Sequence, residues 1–299
     1  MRFSVWPGPN NSWEETLAIA RHAEATGWDG VWYADHFMPN QEDVSGPVNE
    51  CWTTLAGLAA SVPRVRLGSL VAGNMYRHPA VLAKMAAGID IISGGRLVLG
   101  LGAGWQENEH QKYGIEFSTV GGRISRLEEA CEVVTGLLRN GRTTFSGKYY
   151  QLDDAPLEPK PVQQPLPLLI GGGGEKRTMR IAAKYADEWN VWGRPDLLRR
   201  KMSVLDEHCR SLGRDPKSIQ RSAQTFVFLT EDEAILERAR QMPADRTIAG
   251  SVDEVKRVMQ EYAEAGVDEF IMPDFNLGRG ERKIAAFDAF IEKVAPEFR

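Results

Sequence analysis

The sequence predicts an α/β protein whose strands and helices alternate, either a (β/α)8 TIM barrel or a doubly wound sheet, on three observations. Short β-rich runs are followed by amphipathic segments eight times from end to end. The 299 residues contain no repeat, low-complexity stretch or domain linker, and this length suits one α/β unit over 1–299. Polar, glycine-rich and aromatic residues gather after the strands, the end where a barrel of this type builds its site.

Arg2–Trp6 reads as the first strand. Ser12 then caps a helix to about Ala25, with Glu15 completing a capping box, and Gly27 ends it. Gly30–Ala34 is the second strand, Asn49–Ser61 a helix and Val65–Val71 the third strand. Pro79 opens a helix to about Ile92, and Leu97–Gly102 is the fourth strand. In Arg123–Arg139 the residues Ile124, Leu127, Cys131, Val134 and Leu138 recur at helical spacing. A segment over about 141–167 follows. It holds a hairpin, Thr143–Leu152, turning at Ser146–Gly147, and a proline-rich connector, Pro156–Pro167. Leu168–Ile170, Glu188–Val191, Ser222–Leu229 and Asp268–Met272 complete the strands. Glu175–Tyr185, Asp196–Ser211, Val252–Ala265 and Glu281–Val294 are the helices between and after them.

Composition excludes several classes. Apolar residues at 42% and charged residues at 26% are those of an ordinary globular chain. A net charge of -5 gives no basic field for nucleic acid or anionic lipid. Residues 1–10 do not read as a signal peptide, and no run reaches the ~18 apolar residues of a membrane span. Cys51, Cys131 and Cys209 lack pairing motifs and read as reduced thiols of a cytoplasmic protein.

Of the candidate sites, Gly171, Gly172, Gly173 and Gly174 carry the strongest local signal. Four glycines between a strand and a helix admit a ligand to the backbone. The helix start, with Lys176 and Arg177, then offers N–H groups and charge to a phosphate; the alternative is a flexible turn capped by Glu175. Gly100 to Gly104 matches a dinucleotide fingerprint weakly, its third glycine falling one place early, and reads better as a strand packed against a flat ring. His36 follows Asp35 at a strand end. It suits an acid, a base or a donor to a ring carbonyl, against the alternative of a structural imidazole. His78 suits a helix cap. Glu107, Glu109 and His110 lack metal-ligand spacing and read as solvated. Trp105, Trp189 and Trp192 suit either core or a planar cofactor, and His22 and His208 carry no signal.

These residues together resemble the luciferase-like flavin and deazaflavin superfamily over almost the whole chain. The resemblance rests on Asp35-His36-Phe37, Arg77-His78-Pro79, Ile92 to Leu97 leading into Gly100 to Trp105, Ile170 to Glu175, Tyr185 to Asn190, and Ala265 to Asp268. It is most similar to the branch that uses the deazaflavin coenzyme F420. It implies a TIM barrel with an insertion over about 141–167, usually a homodimer, that transfers hydride between the deazaflavin and a small organic substrate. The phosphate would lie near Gly171–Gly174 and the ring beside Asp35, His36, Leu70, Val71, Ala103 and Gly104, with His36 and Asp35 at the reacting edge. It also implies a non-proline cis peptide at Leu70–Val71, or one bond earlier at Ser69–Leu70. Relatives that oxidise glucose 6-phosphate carry a catalytic Glu after the glycine run, where this chain has Trp105, so another substrate is expected. An FMN-dependent monooxygenase is the alternative, and a silent cofactor-binding protein or a hydrolase with paired carboxylates comes after it. No metal is expected.

Overall fold

The computed structural model describes residues 1–299. In chain order the elements are β1 (Arg2–Trp6), α1 (Trp13–Thr26), β2 (Gly30–Tyr33), α2 (Cys51–Ser61), β3 (Arg66–Ser69), the short β4 (Ala72–Gly73), α3 (Pro79–Ser93) and β5 (Leu97–Gly102). Next come α4 (Glu107–Tyr113), α5 (Val120–Arg139), the hairpin β6 (Arg142–Ser146) and β7 (Gln151–Pro156), β8 (Leu168–Gly171), α6 (Thr178–Tyr185), β9 (Glu188–Trp192) and α7 (Pro195–Ser211). The chain ends with β10 (Gln220–Gln224), β11 (Phe226–Leu229), α8 (Glu233–Arg240), β12 (Thr247–Gly250), α9 (Val252–Ala265), β13 (Glu269–Pro273) and α10 (Glu281–Lys293).

Eight strands, β1, β2, β3, β5, β8, β9, β10 and β13, pair in parallel and in chain order. β13 pairs with β1, closing the barrel. This settles the choice between a doubly wound sheet and a barrel: the fold is a TIM barrel. Between the strands and the helices lies the larger apolar core, which includes Trp28, Trp52, Trp189, Phe270, Phe287 and Phe290. The barrel interior holds a smaller cluster of Trp6, Trp32, Ala34, Leu70, Val98, Leu169 and Ile271. Beneath it, at the N-terminal ends of the strands, Glu269 accepts hydrogen bonds from Ser4 Oγ (2.6 Å), Trp32 Nε1 (2.8 Å) and Arg66 (2.9 Å). Arg66 also pairs with Glu188. The charged floor plugs the barrel and leaves its other end for ligands.

Local chemistry fixes the helix ends. His78 accepts from Ala80 N at 3.2 Å as the cap of α3, with Pro79 at its first position. Ser12 caps α1 through Glu15 N at 3.2 Å, but the Glu15 carboxylate turns to Lys283 at 2.9 Å, so the box predicted there is only half formed. A complete box occurs at Ser251 and Glu254.

Three expectations change. The run predicted as one strand over 222–229 divides after Gln224: β10 stays in the barrel, and β11 leaves it to pair with β12. The apolar run Phe226 to Leu229 has strand character whichever partner it takes, so composition does not reveal the exit. α8 and β12 were not anticipated, nor was α4, whose polar sequence Glu107 to Tyr113 has no apolar stripe. The helix predicted from Glu175 begins instead at Thr178, because the Glu175 carboxylate is drawn to Lys201 (2.7 Å) and Arg200 (2.9 Å). The non-proline cis peptide is at Leu70–Val71, the first of the two bonds named.

Candidate active site

At the C-terminal end of the barrel, the chain beyond β3 turns inward and sets Val71 against the adjacent strands β5 and β8. Those strands carry Gly100, Gly102 and Gly171 where the valine sits. An added Cβ would lie 2.6 Å from Val71 at Gly102, 2.8 Å at Gly171, and 2.0 Å from the Ser69 carbonyl at Gly100. No side chain fits at these three places, and the result is a smooth floor crowned by Val71, with Leu70 buried in the interior beneath. Ala103 and Gly104 continue that rim, the Gly104 carbonyl accepting from Arg123 Nε at 3.2 Å. Gly100 and Gly102 thus serve close strand packing, and not a dinucleotide turn, while Gly104 (φ +82) lets the chain turn off the strand.

His36 stands just beyond β2. Its Nδ1 lies 2.7 Å from Glu109 Oε1, which also accepts from Tyr76 Oη at 2.9 Å, and Glu109 Oε2 takes the Phe37 amide. Glu109 is fully buried and His110 nearly so. This overturns the reading of both as solvated: α4 folds back under His36, and its short polar sequence gives no periodic sign of an inward face. Burial, then the Glu109 charge, push the Tyr76 phenol well up, so it stays protonated and donates. With two other donors on the carboxylate, the Nδ1–H of His36 donates to Glu109 and leaves Nε2 free. Trp105, largely exposed, meets the His36 ring edge-on at 5.5 Å.

Asp35 is enclosed. Arg77 spans both its oxygens, at 2.7 and 3.1 Å, and the Gly73 amide donates to it at 3.1 Å. Burial raises the Asp35 carboxyl above its ordinary value, with Arg77 pulling against it. Asp35 does not touch the His36 ring in a hydrogen bond; it ties the end of β2 to the bulged segment. The sequence reading missed Glu109, Tyr76 and Arg77 as partners because they converge only through the fold.

The glycine loop lies opposite. Gly172 has φ +124, which favours glycine, and its carbonyl accepts from Trp189 Nε1 at 2.9 Å. Trp189 is thus core, while Trp192, also considered for a planar ligand, faces the barrel mouth and packs on Trp6 at 5.6 Å. Lys201, which the sequence reading did not single out, donates to Gly173 O at 2.8 Å. Gly174 and Lys176 are exposed. Arg177 reaches across to α5, donating to Gly121 O (3.2 Å) and Ser125 Oγ (3.0 Å). The loop therefore joins the starts of α5 and α6, whose first amides have no helical acceptors.

A TIM barrel with a glycine floor, an inward valine bulge and an anchored imidazole on its rim defines a class built to hold a flat ring. Residues 1–245 match the family model described as luciferase-like monooxygenase, and the chain belongs to that family. It is 30% identical over 267 residues to an F420-dependent hydroxymycolic acid dehydrogenase of Mycobacterium tuberculosis, an alignment covering 89% of this chain and 72% of that protein. It is 33% identical to an F420-dependent glucose-6-phosphate dehydrogenase of Kineococcus radiotolerans over 72% of this chain and 64% of that one. Among solved structures it superposes on an F420-dependent secondary alcohol dehydrogenase in complex with an F420–acetone adduct, with a TM-score of 0.88 and 22% identity, over 100% and 99% of the two chains.

Proposed function

We propose that this protein is an oxidoreductase that transfers hydride between the deazaflavin coenzyme F420 and a small organic substrate. The observation that carries the reading is the floor of Gly100, Gly102 and Gly171 under Val71, flanked by His36. A Cβ at any of the three glycines would collide with Val71 or the Ser69 carbonyl, so these glycines are what lets the bulge stand at the barrel mouth, where it fits as the support of a planar ring. Such a ring would rest on Leu70, Val71, Ala103 and Gly104. Its phosphate would meet Gly171–Gly174 and the start of α6, with Lys176 beside it. Arg177, engaged with α5, shapes that end more than it supplies free charge.

When bound, the deazaflavin supplies a carbon that carries hydride as a two-electron unit. The chain's own residues do the rest. His36, its Nδ1 fixed by Glu109, presents Nε2 to the substrate heteroatom as proton donor or acceptor. Tyr76 and the Phe37 amide hold Glu109 in place. Asp35 and Arg77 hold His36 and the Val71 segment in register and are positioning residues. Trp105 shields one side of the imidazole. With Trp105 after the glycine run, the sugar-phosphate reaction of some relatives is not proposed.

The test is titration of the purified protein with F420 and with FMN, followed by turnover with a panel of alcohols, enones and imines. Tight F420 binding with hydride transfer is expected. Tight FMN binding without F420 binding would favour the second reading, a reduced-flavin monooxygenase, which the name of the family keeps in view.

The same proposal places the protein in the cytoplasm as a homodimer. Its three cysteines are buried and unpaired, and no helix is long and apolar enough to cross a membrane. Val81, Gly88 and Ile92 form one stripe on α3, with both large side chains exposed, which suits a second copy of the chain. Sedimentation equilibrium tests this: a monomer at micromolar concentration would exclude the dimer.

A further inference from the structure

The part of the barrel mouth away from His36 is lined by aromatics. Trp6, Trp192, Phe226 and Phe275 form a closed circuit of ring contacts at 5.6, 5.1, 6.5 and 5.0 Å. They come from the ends of β1 and β9, the start of β11 and the segment after β13. Two buried polar atoms here have no hydrogen-bond partner: Trp6 Nε1, a donor, and Gln224 Oε1, an acceptor. Gln224 lies in register with Ile271 and Trp192, and Ile271 belongs to the interior cluster, so the Gln224 amide faces the barrel interior. A buried donor and acceptor left open under an aromatic wall mark a place for a polar ligand atom.

Phe275 also lines a cleft of about 470 Å³ between the segments that follow β1 and β13. Arg238 and Arg279 line the same cleft, are exposed and take part in no ion pair within the chain. The one acid lining it, Asp274, is already engaged: it is ion-paired with Lys283 (2.8 Å), which Glu15 shares, and accepts from Gly8 N (2.8 Å) and Asn11 Nδ2 (2.8 Å). The charged lining of the cleft is therefore mainly cationic, and Phe275 is the residue it shares with the aromatic circuit.

We infer that the substrate is an organic anion, with an apolar or planar body on the Trp6–Trp192–Phe226–Phe275 wall and a carboxylate or phosphate held by Arg238 and Arg279. Arginine recognises both groups through paired, charge-assisted hydrogen bonds. Trp6 Nε1 and Gln224 Oε1 are placed to meet a hydroxyl or carbonyl of the body. The inference rests on the hydride-transfer reading for what happens to the substrate, but not for how it binds.

The experiment follows binding by tryptophan fluorescence and calorimetry in the full-length protein, with four probes: 3-phenylpropanoate, phenyl phosphate, the neutral 3-phenylpropanamide, and inorganic phosphate. At least one phenyl anion is expected to bind about tenfold or more tighter than the amide and than inorganic phosphate. The stronger of the two anions identifies the acidic group. In the Arg238→Gln/Arg279→Gln protein that preference should vanish while the affinity for F420 stays unchanged. The mutated side chains are exposed, and circular dichroism verifies folding. Equal binding of amide and anions, no binding of any anion at 10 mM (about the weakest affinity of interest), or a preference that survives the double substitution would each overturn the inference. F420 affinity in the same samples separates the two readings: firm F420 binding without anion preference defeats this one alone, and the reverse defeats only the cofactor reading.

Discussion

Nδ1 of His36 and Oε1 of Glu109 lie 2.7 Å apart although 73 residues separate them in the chain. The pair sits where β2 and the segment after β5 open at the barrel mouth, and it gives the imidazole one orientation. Replacing His36 by Ala should lower turnover by about 100-fold or more and leave F420 affinity near wild type, the scale of a lost general acid or base. Glu109→Gln should also slow turnover. In the double variant the two losses should not add, because Glu109 acts through His36. Additive losses in this cycle would separate the two residues.

The glycine loop makes a second prediction. Gly173 lies outside the left-handed region, with Val191 3.1 Å and Lys201 3.6 Å from an added Cβ. Gly173→Val should therefore close the approach to the loop and weaken F420 binding by about tenfold or more, while the melting temperature falls only slightly. A dissociation constant equal to wild type would show that no cofactor phosphate meets this loop.

Inside the barrel, Gly68 faces the buried indole of Trp32. A Cβ there would lie 2.3 Å from Trp32 Cζ3, and Trp32 is pinned by its hydrogen bond to Glu269. Gly68→Ala should destabilise the protein by about 2 kcal/mol or more through overpacking, and lower its melting temperature by several degrees. Thermal unfolding at one pH checks this, and an unchanged midpoint would mean the indole can move.

Burial alone would raise the Glu269 carboxyl, but Arg66 and Arg2 outweigh it and hold the group below its ordinary value. A carboxylate depressed in the folded state contributes stability that is present above its unfolded value and lost as pH falls through the folded one. Glu269→Gln should thus cost about 2 kcal/mol at neutral pH, by leaving half-buried Arg66 with Glu188 as its one remaining acidic partner. The gap to wild type should narrow below about pH 4. Denaturant unfolding across this range checks it; a gap that does not vary with pH would show that Glu269 contributes by shape and not by charge.

The sequence by itself determined the class of fold, most of the element boundaries and the glycine-rich places where a ligand comes near. Those features are written in local terms: the period of apolar residues, Pro79 and His78 at a helix start, Gly27 at a helix end, four glycines between a strand and a helix. Resemblance added the barrel and the place of the cis bond. Tertiary structure decided what partners what. It closed β13 onto β1, sent Phe226–Leu229 out of the barrel to β12, turned Glu109 under His36 and Asp35 onto Arg77, and gathered four aromatics from distant segments at the mouth. The physical reason is common to all of these. A charged residue in a short polar helix looks the same in sequence whether it meets water or a buried imidazole, because the difference lies in which surface the closed barrel sets against it.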